Sequence, residues 1–315
     1  GTGLTTQIAL LNPEVKEVDT IEIEKEVVKG AKLFANRNYG VFYDRRSKIY
    51  IDDAKTFFTS HKHKYDIIIS EPSNPWISGI SALFSTEFYQ LVNNYLTDGG
   101  ILIQWIQLYE IDLPNIASIV KAISKNFEDY ALFITTENEM LIVSSNKPLG
   151  CMRDDILKNP QIQSVLKRLK MTTLTDFQLR KIGEKKYFDS FFYSFDVREN
   201  SDFYPVLERK APKLRFFGIG AGHIMSLITG PIPITKIFMD EFTPKEDVNL
   251  TPYYQRPYLI KMAVGMRDIL LYGKSDDLSS LPQDILSLTT RFYQFLQRPE
   301  IISNHYERLT IMFNI

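Results

Sequence analysis

The sequence predicts an α/β protein with a doubly wound parallel sheet, an antiparallel hairpin at the sheet edge and a helical appendage at the carboxyl end. Three observations support this prediction. Over residues 1–145, short apolar strands alternate with amphipathic helices. The chain opens on a glycine turn that leads into a helix, as in nucleoside-binding folds. Beyond residue 218, apolar residues recur at helical spacing.

The elements of the alternating region follow from apolar runs and their boundary residues. After the glycine turn and its helix, we expect strands at EVDTIEIE, KIYID and YDIIIS, with helices at KEVVKGAKLFA and AKTFF between them. The helix STEFYQLVNNYL, with Ser85 as its N-cap, then leads through the turn TDGG to the strand ILIQWIQ. Asp112 and Pro114 begin the next helix, and a hairpin of YALFITT and EMLIVSS closes the sheet edge.

Three regions are expected along the chain. Residues 1–150 form the Rossmann-like nucleoside-binding core, and a βαβ unit needs a strand before its glycine turn, so the first strand is expected upstream. Residues 151–217 complete the core with short amphipathic helices, followed by an extended segment from Asn200 to Phe217 held by Pro205 and Pro212. Residues 218–315 form a helical tail.

Composition excludes several classes of function. With 315 residues and 44% hydrophobic content, the chain can bury a substantial core. Its 37 basic and 38 acidic residues give a net charge of −1 without a basic block, which argues against nucleic acid as a partner. Cys151 is the only cysteine, which predicts neither a disulfide framework nor a thiolate metal cage and favours a cytoplasmic location. The pair His61 and His63 lacks the further ligands of a zinc site, so we expect no metal.

The glycine turn and several acids predict a nucleoside-binding site. Glu22 follows nineteen residues after Gly3, at the end of the second strand, and Gly1 begins the turn. Glycines let the backbone approach a ligand, and a carboxylate accepts hydrogen bonds from ribose hydroxyls. Asp52 and Asp53 end the next strand. They either receive an adenine amino group or cap the helix AKTFF, and the sequence leaves both roles open.

Glu71 lies at the carboxyl end of the strand YDIIIS and is followed by a Pro-Ser-Asn-Pro turn. Open α/β sheets bind their ligands at this end of the strands. A rigid turn holds an acid against a ligand with little loop freedom. The alternative is an acid at a solvated strand end, which is common in loops.

These motifs together resemble the polyamine aminopropyltransferases, the spermidine and spermine synthase family. The resemblance rests on the glycine turn, the acids of IEIE, Asp53 and the runs EPSNPW, LFSTEFY and QWIQLYEID, and it is nearest to the branch fused to a membrane transporter-like region. It implies that Glu22 binds ribose, that Asp53 and Ala54 contact adenine and that Gln104 lines the pocket. It also implies decarboxylated S-adenosylmethionine as co-substrate and a diamine such as putrescine as acceptor, with Glu71 as the base.

The chain departs from the family pattern at three positions. Aspartates usually stand where Thr2, Glu71 and Asn74 stand here. Asn74, with Glu71, is expected to bind the amine, and each neutral replacement is expected to weaken binding of a polycation by about 1–3 kcal/mol. Two alternatives therefore stay open. The first is a methyltransferase that uses S-adenosylmethionine. The second is a non-catalytic domain that senses a nucleoside or polyamine and forms the cytosolic part of a protein with an upstream membrane region. A homo-oligomer also stays open.

Overall fold

The structure, a computed structural model, describes residues 1–136, 138–169, 171–178 and 180–225. Farther along the chain it describes only positions 265, 266, 268, 269, 272, 273, 283, 286, 287, 289, 290 and 293. The predicted helical tail therefore lies mostly outside the described residues.

Ten α-helices and seven strands occur in residues 1–225. The helices are α1 (Leu4–Leu10), α2 (Lys25–Ala31), α3 (Ala35–Tyr43), α4 (Ala54–Ser60), α5 (Thr86–Tyr95), α6 (Leu113–Asn126), α7 (Pro160–Arg168), α8 (Leu174–Gln178), α9 (Lys185–Tyr193) and α10 (Val206–Phe217). The strands are β1 (Val18–Glu22), β2 (Ser47–Ile51), β3 (Tyr65–Ser70), β4 (Leu96–Gln107), β5 (Asp129–Thr136), β6 (Glu139–Ser145) and β7 (Lys181–Glu184). Short 3-10 helices occur at Lys32–Phe34, Ile80–Phe84, Asp155–Lys158 and Gly222–Met225.

This architecture confirms the predicted α/β class and most of the predicted elements. The N-cap of α5 is confirmed, because the Phe88 backbone N–H donates to Ser85 Oγ at 3.2 Å. The N-cap of α6 is confirmed by the Asn115 N–H, which donates to Asp112 Oδ1 at 2.9 Å. The predicted TDGG turn lies inside the bounds of β4, where Gly99 has a φ of 76°. A glycine adopts this left-handed conformation without the steric cost that a side chain brings.

The chain divides into two compact units. Unit 1 comprises Gly1–Asp66, Gln90–Gly100 and Gly150–Arg180, and unit 2 comprises Ile67–Tyr89, Ile101–Leu149 and the chain from Lys181. In unit 1, β1 and β2 form a parallel pair with Glu22 opposite Ile51. The buried apolar side chains of unit 1 include Leu10, Ala31, Val41, Phe57 and Phe58.

Unit 2 is built around a five-stranded sheet in the order β3-β4-β6-β5-β7. The predicted hairpin of β5 and β6 is antiparallel, and β6 also pairs antiparallel with β4. The edge beyond the hairpin is formed by β7, which pairs antiparallel with β5 and which the sequence did not predict. Four residues are too few to show a strand period. Gly183 is needed there, because an added Cβ would lie 2.2 Å from Phe188.

Helices α9 and α10 of unit 2 both pack against α6. The prediction of an extended segment up to Phe217 is wrong for residues 206–217, because they form α10 with Pro212 inside it. The apolar residues Leu207, Ala211 and Leu214 are buried on one face at helical spacing. Their burial outweighs the backbone hydrogen bond that a proline removes from a helix.

Candidate functional site

The structure brings the glycine turn and Glu22 together in unit 1. Glu22 ends β1, and its Oε2 lies 2.5 Å from the backbone nitrogen of Gly1. Its Oε1 accepts the backbone N–H of Glu24 at 3.2 Å, and the side chain is only 18% exposed. Gly3 is left-handed, with a φ of 78°, and an added Cβ would lie 3.1 Å from Val41 Cγ2. A glycine is therefore required at the start of α1, beside the carboxylate.

A buried amide that sequence reasoning missed supports this turn. Asn38 is fully buried, and its Nδ2 donates to the carbonyl of Thr2 at 2.6 Å and to the carbonyl of Ala31 at 2.8 Å. Thr2 itself is exposed. The contact between Asn38 and Thr2 joins residues 36 positions apart, so no local sequence pattern predicts it.

Asp52 and Asp53 follow β2, next to the end of β1 in the same parallel pair. The Asp52 N–H donates to the Glu22 carbonyl at 3.2 Å, and Asp52 Oδ1 accepts the Asp53 N–H at 2.8 Å. Asp53 Oδ1 accepts the Thr56 N–H at 2.9 Å, so Asp53 caps α4. The capping reading is thus confirmed for Asp53. The adenine contacts predicted for Asp52, Asp53 and Ala54 stay predictions.

In unit 2, Glu71 begins the loop after β3, which we call the β3 loop (residues 71–79). Glu71 is exposed, at the end of the predicted strand. Asn74 is half-buried, and its Nδ2 donates to Tyr109 Oη at 3.1 Å. Pro75 is buried, and the Ile77 N–H donates to the Asn74 carbonyl at 3.0 Å. The loop is therefore held close to the sheet while its first residue stays open to solvent.

Gln104 lies in the core of unit 2, where it supports the end of β3. The side chain is fully buried, and its Nε2 donates to the Ser70 carbonyl at 3.3 Å and to the Trp105 carbonyl at 2.9 Å. Its Oε1 accepts the Tyr89 hydroxyl at 3.2 Å. Burial raises the pKa of Tyr89, which keeps this hydroxyl protonated as a donor. These contacts place Gln104 behind the residue that precedes Glu71, and its pocket-lining role stays a prediction.

The loop after β4, which we call the β4 loop (residues 108–112), contributes residues that the sequence did not single out. The Tyr109 ring meets the Trp76 ring edge-on at a centroid distance of 6.1 Å. Glu110 has a φ of 54°, a left-handed conformation that is uncommon for a residue other than glycine. Arg215, from the last turn of α10, places its guanidinium carbon 5.3 Å from the centre of the Trp76 ring.

The two loops follow strands that neighbour each other in the sheet order. Because β3 and β4 are neighbours, the loops that follow them could have been predicted to meet, and this would have linked Asn74 and Trp76 with Tyr109. No sequence signal pointed to Arg215, which reaches the cluster from a segment predicted to be extended.

No group of three or more His, Cys, Asp or Glu side chains is arranged for a metal ion within the part of the chain that the structure describes. In the same part of the chain, none of the helices is both long and apolar enough to cross a membrane.

Comparison with known proteins finds a domain similar to the amino-terminal part of the chain. Residues 2–146 match the family model described as the spermine/spermidine synthase domain. This span contains Gly3, Glu22, Asp53, Glu71 and Gln104. Residues 2–146 are therefore similar to the spermine/spermidine synthase domain. The narrower relation to a branch with a membrane region stays a prediction.

Curated polyamine aminopropyltransferases match parts of the chain. A polyamine aminopropyltransferase of Pseudomonas syringae is 38% identical over 90 residues, which are 28% of this chain and 31% of that protein. Polyamine aminopropyltransferase 1 of Pseudomonas aeruginosa is 34% identical over 102 residues, which are 32% of this chain and 35% of that protein. The chain thus spans about a third of the length of these relatives.

Among solved structures, spermidine synthase from Thermotoga maritima is similar over 68% of this chain and 66% of its own, with 18% identity and a TM-score of 0.40.

Proposed function

We propose that the protein transfers an aminopropyl group from decarboxylated S-adenosylmethionine to an amine. The observation that supports this most directly is the family match over residues 2–146, with Glu71 standing at the end of β3. The relatives from both Pseudomonas species are named as polyamine aminopropyltransferases.

The acids of unit 1 are proposed to bind the adenosine part of the donor. Glu22 would accept hydrogen bonds from the ribose hydroxyls, because its carboxylate is half-buried beside the glycine turn. Asp52 and Asp53, with the backbone of Ala54, would receive the adenine. In favour of these roles, Glu22 ends β1 and Asp52 directly follows the neighbouring parallel strand β2, and such folds bind nucleosides at these strand ends.

Glu71 is proposed as the general base. An alkylammonium with a pKa of ~10.4 is neutral in only about one part in a few thousand at pH 7. Deprotonating the amine so that it can attack therefore costs roughly 4–5 kcal/mol. A carboxylate at the amine lowers this barrier by accepting the proton as the nitrogen attacks. Glu71 is suited to this role because it is exposed at the strand end while Gln104 and Pro75 fix the backbone around it.

The proposed step is a displacement at carbon. The amine nitrogen uses its lone pair to bond to the aminopropyl carbon next to the donor sulfonium, and the carbon–sulfur bond breaks. Its electron pair stays on sulfur, so methylthioadenosine leaves as a neutral thioether and needs no acid. The proton lost by the amine passes to Glu71 and then to solvent.

Release of methylthioadenosine tests the proposal. The protein is incubated with decarboxylated S-adenosylmethionine and a panel of amines that includes putrescine, and the product is measured by chromatography. We expect release by the wild-type protein and a fall in kcat of about 10²- to 10⁴-fold in Glu71→Gln, the usual range for losing a general base. Glu128→Gln, an exposed glutamate of the same unit, is the matched control and should keep full activity.

Two outcomes would overturn the proposal. The first is no release with any amine in the panel. The second is a clear calorimetric preference for carboxylated S-adenosylmethionine over the decarboxylated donor, which would favour methyl transfer.

A further inference from the structure

Helix α10 is anchored to the 3-10 helix Ile80–Phe84, which follows the β3 loop, and to the β4 loop, with one anchor near each end of α10. Near its start, Glu208 Oε2 accepts the hydroxyl of Ser81 at 2.5 Å. Just past its end, the Ala221 N–H donates to the carbonyl of Leu108 at 2.7 Å. These two anchors define where Arg215, in the last turn, stands relative to both loops.

Arg215 brings a positive charge to the side of the loops that faces Trp76. Its guanidinium carbon lies 5.3 Å from the Trp76 ring centre, and Trp76 meets Tyr109, which accepts from Asn74. Its Nε lies 3.8 Å from Glu110 Oε2, which is an ion pair but longer than a hydrogen bond. Packing on an aromatic face orients a guanidinium. The N–H groups at the edge of the guanidinium can still donate hydrogen bonds to a planar anion.

The charges of these loops fit poorly with a polycation. An acceptor whose nucleophilic nitrogen reaches Glu71 would extend toward residues 74–76, which follow Glu71 in the same loop. A second ammonium there would meet the neutral amide of Asn74 and the positive guanidinium of Arg215, and the nearby Glu110 carboxylate is already paired with that guanidinium. Like charges repel, whereas a carboxylate can take paired hydrogen bonds from a guanidinium.

We propose that Arg215 is a specificity-determining residue that selects acceptors carrying a carboxylate as well as the attacking amine. The substrate class is then an amino acid whose side chain ends in an amine, in place of a simple diamine. This inference rests on the proposed aminopropyl transfer and specifies its acceptor. The bonds that form and break are unchanged, because the side-chain nitrogen attacks the same aminopropyl carbon and methylthioadenosine leaves.

Two matched pairs of acceptors test the inference. Ornithine differs from putrescine only by a carboxylate, and lysine differs from cadaverine in the same way. With decarboxylated S-adenosylmethionine as donor, kcat/KM is measured for all four, and the product is identified by mass. We expect each amino acid to be preferred over its diamine by about 10- to 100-fold, the effect of a charge-assisted hydrogen bond.

Variants of α10 separate the role of Arg215 from folding. In Arg215→Gln the preference for ornithine over putrescine should vanish, while Arg215→Lys should keep a weaker preference because it keeps the charge without the fork of donors. Lys213→Gln removes the same charge from an exposed position on the same helix and should leave the ratio unchanged. The ratio is taken on one protein preparation, so a partly unfolded variant does not alter it.

Failure of this inference is distinguishable from failure of the proposed function. Methylthioadenosine release with putrescine that equals or exceeds release with ornithine would overturn the selection by Arg215 and leave aminopropyl transfer standing. An ornithine preference that survives in Arg215→Gln would overturn it as well. No release with any of the four acceptors would overturn the selection by Arg215, and no release with any amine of the wider panel would overturn the proposed function as well.

Discussion

The acids of unit 1 and the loops of unit 2 are held in place in different ways. Asp52 accepts a hydrogen bond from the backbone N–H of the next residue, and Asp53 accepts one from the N–H three residues later. Glu22 accepts a hydrogen bond from the N–H of the residue two positions later. Asn74 and Gln104 instead depend on partners 35 and 34 residues away. The unit 1 acids are thus set by their own strand ends. The unit 2 loops are set by the packing of the whole sheet and of α10.

The largest expected effect tests the distant support of the β3 loop. Gln104→Met keeps the volume of the side chain but leaves the buried Tyr89 hydroxyl and Ser70 carbonyl without this partner. We expect the free energy of unfolding in urea to fall by about 1–3 kcal/mol, the cost of unpaired buried polar groups. The activity should fall as well, because the backbone before Glu71 loses a hydrogen bond.

Gln90→Met is the control for this prediction, since Gln90 is an exposed residue of α5. Equal stability of the two variants would mean that the β3 loop does not need its distant support, and the contrast between the units would disappear.

The next effect concerns the local acids of unit 1. Glu22→Gln keeps the shape of the side chain and removes its charge, so the unfolding free energy should change little. If Glu22 binds the donor ribose, the KM for the donor should rise roughly tenfold, or about 1.4 kcal/mol, with the acceptor KM unchanged. Glu14→Gln, at an exposed position of the same unit, is the comparison. A changed acceptor KM with an unchanged donor KM would contradict the assignment.

A smaller effect separates the two roles of Asp53. Asp53→Ala removes the N-cap of α4 and should lower the unfolding free energy by about 1 kcal/mol. Asp53→Asn retains a capping oxygen and should restore that stability. The donor affinity of Asp53→Asn, measured by calorimetry, then reports the contribution of the Asp53 carboxylate to donor binding. Equal donor affinity in Asp53→Asn and wild type would show that capping is its only role.

The smallest effect concerns an ion pair in unit 1 between residues two positions apart. The hydrogen-bonded Arg46 guanidinium lowers the pKa of Asp44 from 3.8 to about 2, and Arg46 also donates to the carbonyls of Leu10, Asn12 and Val15. A lowered pKa in the folded state contributes stability above pH 4 that is lost as the pH falls from about 4 towards 2. The slope of stability against pH in this window should therefore be shallower in Asp44→Asn. Identical slopes would rule out this linkage.

Much of unit 1 could be predicted because its signals are local. The strand ends at Glu22 and Ile51, the cap at Asp53 and the glycine at position 3 each follow from a period or from a residue with a special backbone role. The contact of Asn38 with the turn escaped prediction. It joins a helix kink to a carbonyl 36 residues earlier, and spacing along the chain carries no information about such a pair.

In unit 2, the sequence located the residue with the proposed chemistry but not its surroundings. Glu71 was placed at the end of a strand that the structure reproduces with the same bounds, 65–70. Helix α10 was missed because Pro205 and Pro212 outweighed the helical spacing of Leu207, Ala211 and Leu214. Without α10, Arg215 had no predicted position.

The sequence by itself determined the α/β class, the ends of the strands and the acids that stand there. These depend on periods of two and 3.6 residues and on caps, which act within a few residues. Only the tertiary structure decided that Gln104 supports Ser70, that Asn74 meets Tyr109 and that Arg215 covers Trp76. These contacts join residues 34 to 139 positions apart in the chain, so they exist only once the sheet and α10 have packed.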